Sequence, residues 1–322
     1  MTDTPLIEDP SEVTKHEAVV IQARGLARWY GQVIGLTDLS VDIPSGITGL
    51  LGPNGAGKST FMRLLTGQIH PSAGSVWLLG KQPAWQPEVF QDVGFCSEDD
   101  ALYEDMTARE MVTFLARCSG FEGDESRERA ASALERCGMG HALDKACSTF
   151  SKGMRQRTRI AAALVHDPKL LLLDEPMTGL DPVGRRDVVN IIKQFANSGG
   201  SVLFSSHILH EVEAVAEHVA IMNKGMLLAE GTLEEIQNDL SDYAFSLKIR
   251  CDQPRKLARA IVERGHVIGV SFEGPDGITI SSESAKALSE EVPPIALEEG
   301  IDLMELSCPN ESLENLFQRL MK

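Results

Sequence analysis

The feature that most constrains the fold of this chain is a glycine-rich loop that directly follows a short apolar run. The run ITGLLG predicts a buried strand, and it leads into GPNGAGKST at residues 52–60. The loop fits the pattern GxxxxGK[ST] from Gly52 to Ser59. The following KSTFMRLLTGQI has helical apolar spacing, with Gly67 as its stop. Strand, glycine loop and helix in this order predict an α/β unit that handles phosphate groups.

The chemistry of this loop follows from its residue types. Glycines let the backbone approach closely enough to aim its N–H groups at phosphate oxygens, and the helix beyond Gly57 adds its positive end. We expect Lys58 to reach the β- and γ-phosphates and Ser59 to bind Mg²⁺. An ordinary glycine-rich turn is the alternative, and the Lys-Ser pair disfavours it. The residues expected to bind nucleotide here are Gly52, Pro53, Asn54, Gly55, Ala56, Gly57, Lys58, Ser59 and Thr60.

Two acids end a second apolar run. LLLLDEP at residues 170–176 predicts a buried strand that leads into Asp174 and Glu175. We expect Asp174 to hold Mg²⁺, usually through water, and Glu175 to act as a general base or to orient the attacking water. A solvated acidic loop is the alternative. The phosphate loop upstream in the same sheet favours the catalytic interpretation.

A histidine ends a third strand, SVLFSSH. His207 has two structural alternatives, a packed core histidine and a helix N-terminal residue. With His210 and Glu211 it also forms a candidate metal cluster, but the spacing is not HExxH. A neutral imidazole at the carboxyl end of a parallel strand can hydrogen-bond a γ-phosphate or the attacking water. We therefore predict a catalytic role for His207.

The patterns divide the chain into three parts. Residues 1–17 are acidic and predict a disordered tail. Residues 18–240 alternate strand and helix patterns, which predicts a nucleotide-binding domain with a mainly parallel sheet. Within it, residues 101–166 are predicted to be helical, and Thr107 begins a capping-box pattern, TARE.

Residues 241–322 are predicted to form a small accessory α+β domain. The order of patterns is βαββαβ, which is that of a ferredoxin-like split βαβ sandwich. Its second helix is expected to break at Pro293-Pro294, and a last helix is expected over SLENLFQRL.

Composition excludes several classes of protein. The formal net charge of −17 disfavours binding to nucleic acid or to anionic lipid. The six cysteines are scattered without a CxxC pair, so we expect no zinc site and a reduced cytosolic compartment. The N-terminus lacks the apolar stretch of a signal peptide, and no apolar run approaches 18 residues, so we expect no membrane span.

Over residues 20–236 the chain resembles an ABC transporter ATPase subunit. The resemblance lies in the order and spacing of five motifs: GPNGAGKST, FSKGMRQR, LLLLDEP, MTGLDP and SSHILHEVE. The resemblance implies a P-loop ABC ATPase cassette in which a mainly parallel sheet is joined by an antiparallel β subdomain and a helical subdomain. It also implies that Tyr30 stacks on adenine, that Asp181 lies in the D-loop and that His207 is the switch histidine.

The same resemblance identifies FSKGM as the signature motif, with Ser151, Lys152 and Gly153. It implies that two subunits pack head to tail, so that each signature binds the ATP held by its partner's phosphate loop.

The chain departs from the family at two positions. Lys152 stands where a glycine is usual, and Glu98 stands where the Q-loop glutamine contacts Mg²⁺. Glu98 is expected either to reach Mg²⁺ and the γ-phosphate or to face solvent within the acidic run SEDD.

By this resemblance the chain is an ATP-hydrolysing subunit that uses ATP and Mg²⁺ to drive a separate integral membrane permease, with export as the expected direction. It would lie in the cytoplasm, peripheral on the inner face of the membrane, with an identical or paralogous ATPase subunit as partner. A soluble ABC ATPase acting in translation or on DNA is the alternative, and the single cassette, the lack of long heptads and the acidity disfavour it. A nucleotide-binding scaffold without turnover is disfavoured by Glu175 and His207.

Overall fold

The structure, a computed structural model, describes residues 18–99, 101–240, 245–265, 267–282 and 285–307. The predicted tail at residues 1–17 lies outside this range. In chain order, the elements up to residue 240 are β1 (Val19–Tyr30), β2 (Val33–Pro44), β3 (Ile47–Leu51), α1 (Lys58–Leu65), β4 (Ala73–Leu78), β5 (Val93–Cys96), α2 (Ala108–Cys118), α3 (Gly123–Arg136), α4 (Lys152–Leu164), β6 (Leu170–Leu173), α5 (Pro182–Asn197), β7 (Ser201–Ser206), α6 (Leu209–Glu213), β8 (His218–Asn223), β9 (Met226–Thr232) and α7 (Leu233–Leu240).

The main sheet has six strands in the order β5-β6-β7-β3-β8-β9. Its first five strands are parallel and β9 is an antiparallel edge strand, so the predicted mainly parallel sheet is confirmed. Strands β3, β6 and β7 are buried along their whole length, as expected when both faces of a parallel sheet are covered. Because these three strands are neighbours, the phosphate loop, the paired acids and the histidine all emerge at one edge.

A second, antiparallel sheet has the order β2-β1-β4. Its inward side chains share a core with α1 and the main sheet, and Leu36, Leu39, Phe61 and Leu65 are each at most 1% exposed. The antiparallel subdomain implied by the resemblance is therefore present, and it packs against the helix that follows the phosphate loop.

The predicted helical segment contains α2, α3 and α4. The capping box is present, because the Glu110 N–H donates to Thr107 Oγ1 at 3.2 Å and the Thr107 N–H donates to Glu110 Oε2 at 2.9 Å. The helix that follows β7 is short, and α6 ends at Glu213. The chain must return to the sheet to begin β8, and the Glu217 N–H donates to Ile47 O at 2.9 Å.

Among the described residues, no helix is both long enough and apolar enough to cross a membrane.

The C-terminal residues form a four-stranded sheet of their own. Its elements are β10 (Phe245–Cys251), α8 (Pro254–Val262), β11 (Gly269–Glu273), β12 (Gly277–Ser282), α9 (Ala285–Glu298) and β13 (Leu303–Ser307). The strand order is β11-β12-β10-β13 and each neighbouring pair is antiparallel, which is the topology expected for a ferredoxin-like sandwich.

The helix α9 contradicts the expected break at Pro293-Pro294, because it runs through both prolines to Glu298. Val292 and Ile295, on either side of the prolines, are fully buried in a cluster with Leu257 and Ile280. This burial offsets the lost helix hydrogen bonds. The helix predicted over SLENLFQRL lies outside the described residues.

The boundary near residue 240 stays a prediction, and it can be tested by truncation. The C-terminal apolar cluster is separate from the clusters that surround the main sheet. A chain of residues 18–240 should therefore fold and bind ATP within about two-fold of the full chain's affinity. Nucleotide titration measures binding, with circular dichroism as the folding control. A folded truncated chain that does not bind ATP would show that the boundary is wrong.

Candidate functional site

The loop after β3 has a backbone that requires glycine. Gly55 and Gly57 have φ angles of 82° and 104°, in the left-handed region. A Cβ on Gly57 would lie 2.7 Å from the carbonyl oxygen of Gly35. Helix α1 begins immediately afterwards at Lys58, with no acidic residue in its first turn. A free helix N-terminus beside a glycine loop and a lysine suits a polyphosphate anion.

A cleft of about 450 Å³ opens beside this loop. Its volume is within the range of ordinary ligand sites. The structure thus brings together predicted residues from four separate segments. The cleft is lined by Tyr30, Val33, Ile34, Gly35, Asn54, Gly55, Ala56, Gly57, Lys58, Ser59, Thr60, Glu98 and Glu175. The carbonyl oxygens of Gly52 and Pro53 accept hydrogen bonds from Lys58 Nζ at 2.7 and 3.3 Å.

One wall of the cleft is apolar and open. The exposed fractions of Tyr30, Val33 and Ile34 are 41%, 66% and 59%. The guanidinium of Arg28 lies 4.8 Å from the centroid of the Tyr30 ring, a cation–π contact that holds the ring in place. A wall of this kind, next to a phosphate loop, is suited to the flat face of a base.

Glu175 lies at the centre of the polar end of the cleft, with its side chain only 6% exposed. Its Oε1 is 3.1 Å from Lys58 Nζ. Its Oε2 accepts from Thr178 Oγ1 at 2.9 Å and lies 2.9 Å from His207 Nδ1. The carboxylate therefore has a cation on one oxygen and two hydrogen-bonding groups on the other.

These contacts keep Glu175 ionised. Burial alone would favour the neutral acid, but the charge of Lys58 and the hydrogen bonds from His207, Lys58 and Thr178 hold the pKa of Glu175 below its usual 4.5. Since the pKa is lower in the folded state, the pairing stabilises the fold above about pH 4.5. That contribution is lost as the pH falls through the folded-state pKa.

Ser205 positions both acids, and sequence reasoning missed it. Its hydroxyl donates to Asp174 Oδ1 at 2.6 Å and accepts from the Glu175 N–H at 2.8 Å. Glu175 has a φ of 49°, a strained conformation for a residue with a side chain, and this hydrogen bond helps to hold it. Asp174 is 4% exposed and lies behind the cleft lining. The two serines at the end of the buried strand SVLFSS were the available clue. Thr178 was missed as well, although it lies in the quoted motif MTGLDP.

The signature residues lie apart from this cleft. Ser151 caps α4, and its Oγ accepts from the Met154 N–H at 3.4 Å. A Cβ built on Gly153 would meet no heavy atom within 4 Å, so this glycine faces open space. The side chain of Lys152 lies against Gly179. A Cβ on Gly179 would overlap the ammonium group of Lys152. Asp181 caps α5, where its Oδ1 accepts from the Gly184 N–H at 2.7 Å. None of the four predicted residues of the signature and D-loop lines the cleft of its own chain.

Comparison with known proteins identifies the family. The family model for ABC transporter matches residues 36–178. The bacitracin transport ATP-binding protein BcrA of Bacillus licheniformis is 32% identical over 307 residues, covering 94% of this chain and 98% of that protein. The chain belongs to the ABC transporter ATP-binding proteins. Another relative in this family is the daunorubicin/doxorubicin resistance ATP-binding protein DrrA of Streptomyces peucetius, 34% identical over 244 residues, with 75% and 74% covered.

The fold agrees with this family. A solved ATP-binding subunit of an ABC transporter superimposes with a TM-score of 0.62 at 28% identity, covering 68% of this chain and 92% of that one. The predicted family, the α/β ABC cassette fold and the assignment as an ATPase subunit are thus confirmed. The part played by each site residue stays a prediction.

The hydrogen bonds of Ser205 predict that it supports catalysis without contacting nucleotide. Ser205→Ala should lower kcat by roughly 10- to 100-fold, the range found for residues that orient reacting groups, and leave ATP affinity nearly unchanged. Ser201→Ala, at the start of the same strand and away from both acids, is the matched control. The measurements are steady-state phosphate release and nucleotide titration. Equal kcat values for the two variants would contradict this role.

Proposed function

We propose that this subunit hydrolyses ATP in a head-to-tail dimer and thereby drives a separate integral membrane permease. The observation that carries the proposal is the division of the expected ATP-binding groups. Lys58 and Glu175 line one cleft and His207 contacts Glu175, whereas Ser151 and Gly153 do not line this cleft. A second subunit would supply the missing half of the site.

The residues of the cleft fit nucleotide binding. Tyr30 would stack on adenine, while the N–H groups of the loop and Lys58 would bind the phosphates. Ser59 and Asp174, with Glu98 beside them, offer the hard oxygen ligands that suit Mg²⁺. The metal would neutralise charge on the β- and γ-phosphates.

The chemistry assigned to Glu175 follows from its contacts. A water aligned with the γ-phosphorus attacks it, the bond to the β-phosphate oxygen breaks, and ADP and phosphate form. The ionised Glu175 accepts a proton from this water or orients it. Thr178 and the Nδ1 side of His207 hold the carboxylate, which leaves the other ring nitrogen of His207 for the γ-phosphate.

Helix α4 has the features expected of the part of the site that a partner subunit would supply. Its N-terminus has no acidic residue in the first turn, Ser151 is exposed there, and Gly153 allows close backbone approach. These groups would bind the γ-phosphate held by the partner. Lys152 would add a cation near that anion, and Asp181 would lie at the same interface.

Transport is supported by the relatives. One is named for bacitracin transport and another for daunorubicin/doxorubicin resistance. We infer that this subunit powers export, lies on the cytoplasmic face of the membrane, and pairs with an identical or paralogous ATPase subunit. The net charge of −17 disfavours a role on nucleic acid.

The test of this function is the turnover of Glu175→Gln. The substitution keeps the size of the side chain and removes its basicity, so kcat should fall by ~10²–10⁴-fold while ATP binding persists. Glu213→Gln, at an exposed position in α6, is the control and should match the wild type. Phosphate release at saturating ATP is the measurement. Turnover near the wild-type value would sink the proposal for Glu175.

A further inference from the structure

A buried arginine contacts the segment that leads into the nucleotide cleft, and it forms no ion pair with a carboxylate among the described residues. Arg159, in α4, is only 9% exposed. Its guanidinium donates to Gln156 Oε1 at 2.8 Å, to Ser97 Oγ at 3.3 Å, and to the carbonyl oxygen of Ser97. No ion pair joins it to an acid in the portion of the chain that the structure describes. A buried charge without a counter-ion destabilises a fold, so its presence requires an explanation.

The contacts of Arg159 converge on the segment that leads into the cleft. Ser97 follows the last residue of β5 and precedes Glu98, which lines the cleft. Gln156 Nε2 donates to Cys96 Sγ at 3.8 Å. Burial raises the pKa of the Cys96 thiol to about 11, so the sulfur is a neutral acceptor. The Cys96 carbonyl oxygen in turn accepts from the Asp174 N–H at 2.9 Å. Hydrogen bonds to the carbonyl oxygens of Cys96 and Ser97 therefore hold the backbone at the two residues that precede Glu98.

We propose that Arg159 is a positioning residue that fixes the Ser97–Glu98 segment so that the Glu98 carboxylate faces the phosphate loop. The inference rests on the proposed function, which gives Glu98 a place beside Mg²⁺ and the γ-phosphate. Glu98 is exposed, so without an anchored backbone its side chain is free to turn towards solvent. The planar guanidinium can donate hydrogen bonds to both Ser97 oxygens and to Gln156 at once. A lysine ammonium lacks this planar arrangement of several N–H donors.

Arg159→Met in the full chain tests this role. The Mg²⁺ concentration for half-maximal ATPase activity should rise at least about three-fold. The value of kcat should fall roughly 10-fold, with KM for ATP changed by less than about two-fold. The melting temperature should fall only slightly, because removal of a buried charge partly offsets the loss of the hydrogen bonds to Gln156 and Ser97. Arg129→Gln, which removes an arginine paired with Glu125 and Asp167, is the control and should leave the Mg²⁺ dependence unchanged.

Two further variants keep the inference falsifiable. Arg159→Lys should also raise the Mg²⁺ concentration for half-maximal activity. This variant replaces Arg159→Met in the test if Arg159→Met does not fold. Glu98→Gln alone should raise the Mg²⁺ requirement, and adding Arg159→Met to it should then change the requirement by less than about two-fold. Wild-type Mg²⁺ dependence in a folded Arg159 variant, or equal shifts with and without Glu98, would overturn the inference.

The outcome separates this inference from the proposed function. An inactive Glu175→Gln together with a silent Arg159 variant refutes only the positioning role. An active Glu175→Gln refutes the function on which that role rests.

Discussion

The buried pair of Lys58 and Glu175 is the interaction on which the site depends. Their side chains are 5% and 6% exposed, and a charge so far from water destabilises a fold unless it is paired and hydrogen-bonded. Lys58 also donates to two loop carbonyls, and Glu175 also contacts Thr178 and His207. This arrangement is possible because β3, β6 and β7 are adjacent, so their carboxyl ends deliver the lysine loop, the acids and the histidine to one place.

In the proposed function, one chain holds only part of the site. The cleft offers an apolar wall, a glycine-rich loop and a carboxylate kept ionised by its neighbours. The signature residues at the start of α4 do not line this cleft, and a Cβ on Gly153 would meet open space. A phosphate bound at the loop would compete with Glu175 for Lys58, and a second subunit could then close over it. ATP would act as the bond between subunits, and its hydrolysis would release them.

The sequence predicted the site where a strand and its functional residues are contiguous in the chain. The phosphate loop, LLLLDEP and SVLFSSH each place a strand and its functional side chain together, so the sheet and the convergence of Lys58, Glu175 and His207 could be predicted. Prediction from the sequence failed where function depends on contacts between distant segments. Nothing in the local pattern says that Ser205 bonds both acids or that Arg159 reaches Ser97. The helix through Pro293 was mispredicted because local proline chemistry was outweighed by tertiary burial.

The most direct test of the central claim is the oligomeric state in the presence of nucleotide. Size-exclusion chromatography with light scattering, run with saturating ATP and Mg²⁺, should show Glu175→Gln as a dimer, because ATP is bound but not consumed. The interface should bury on the order of 1,200–2,000 Å², as stable specific complexes do. Removing Lys58 by Lys58→Ala in the same background should return the protein to a monomer. A Glu175→Gln protein that binds ATP yet stays monomeric would contradict the account of two ATP molecules shared between two copies of this chain.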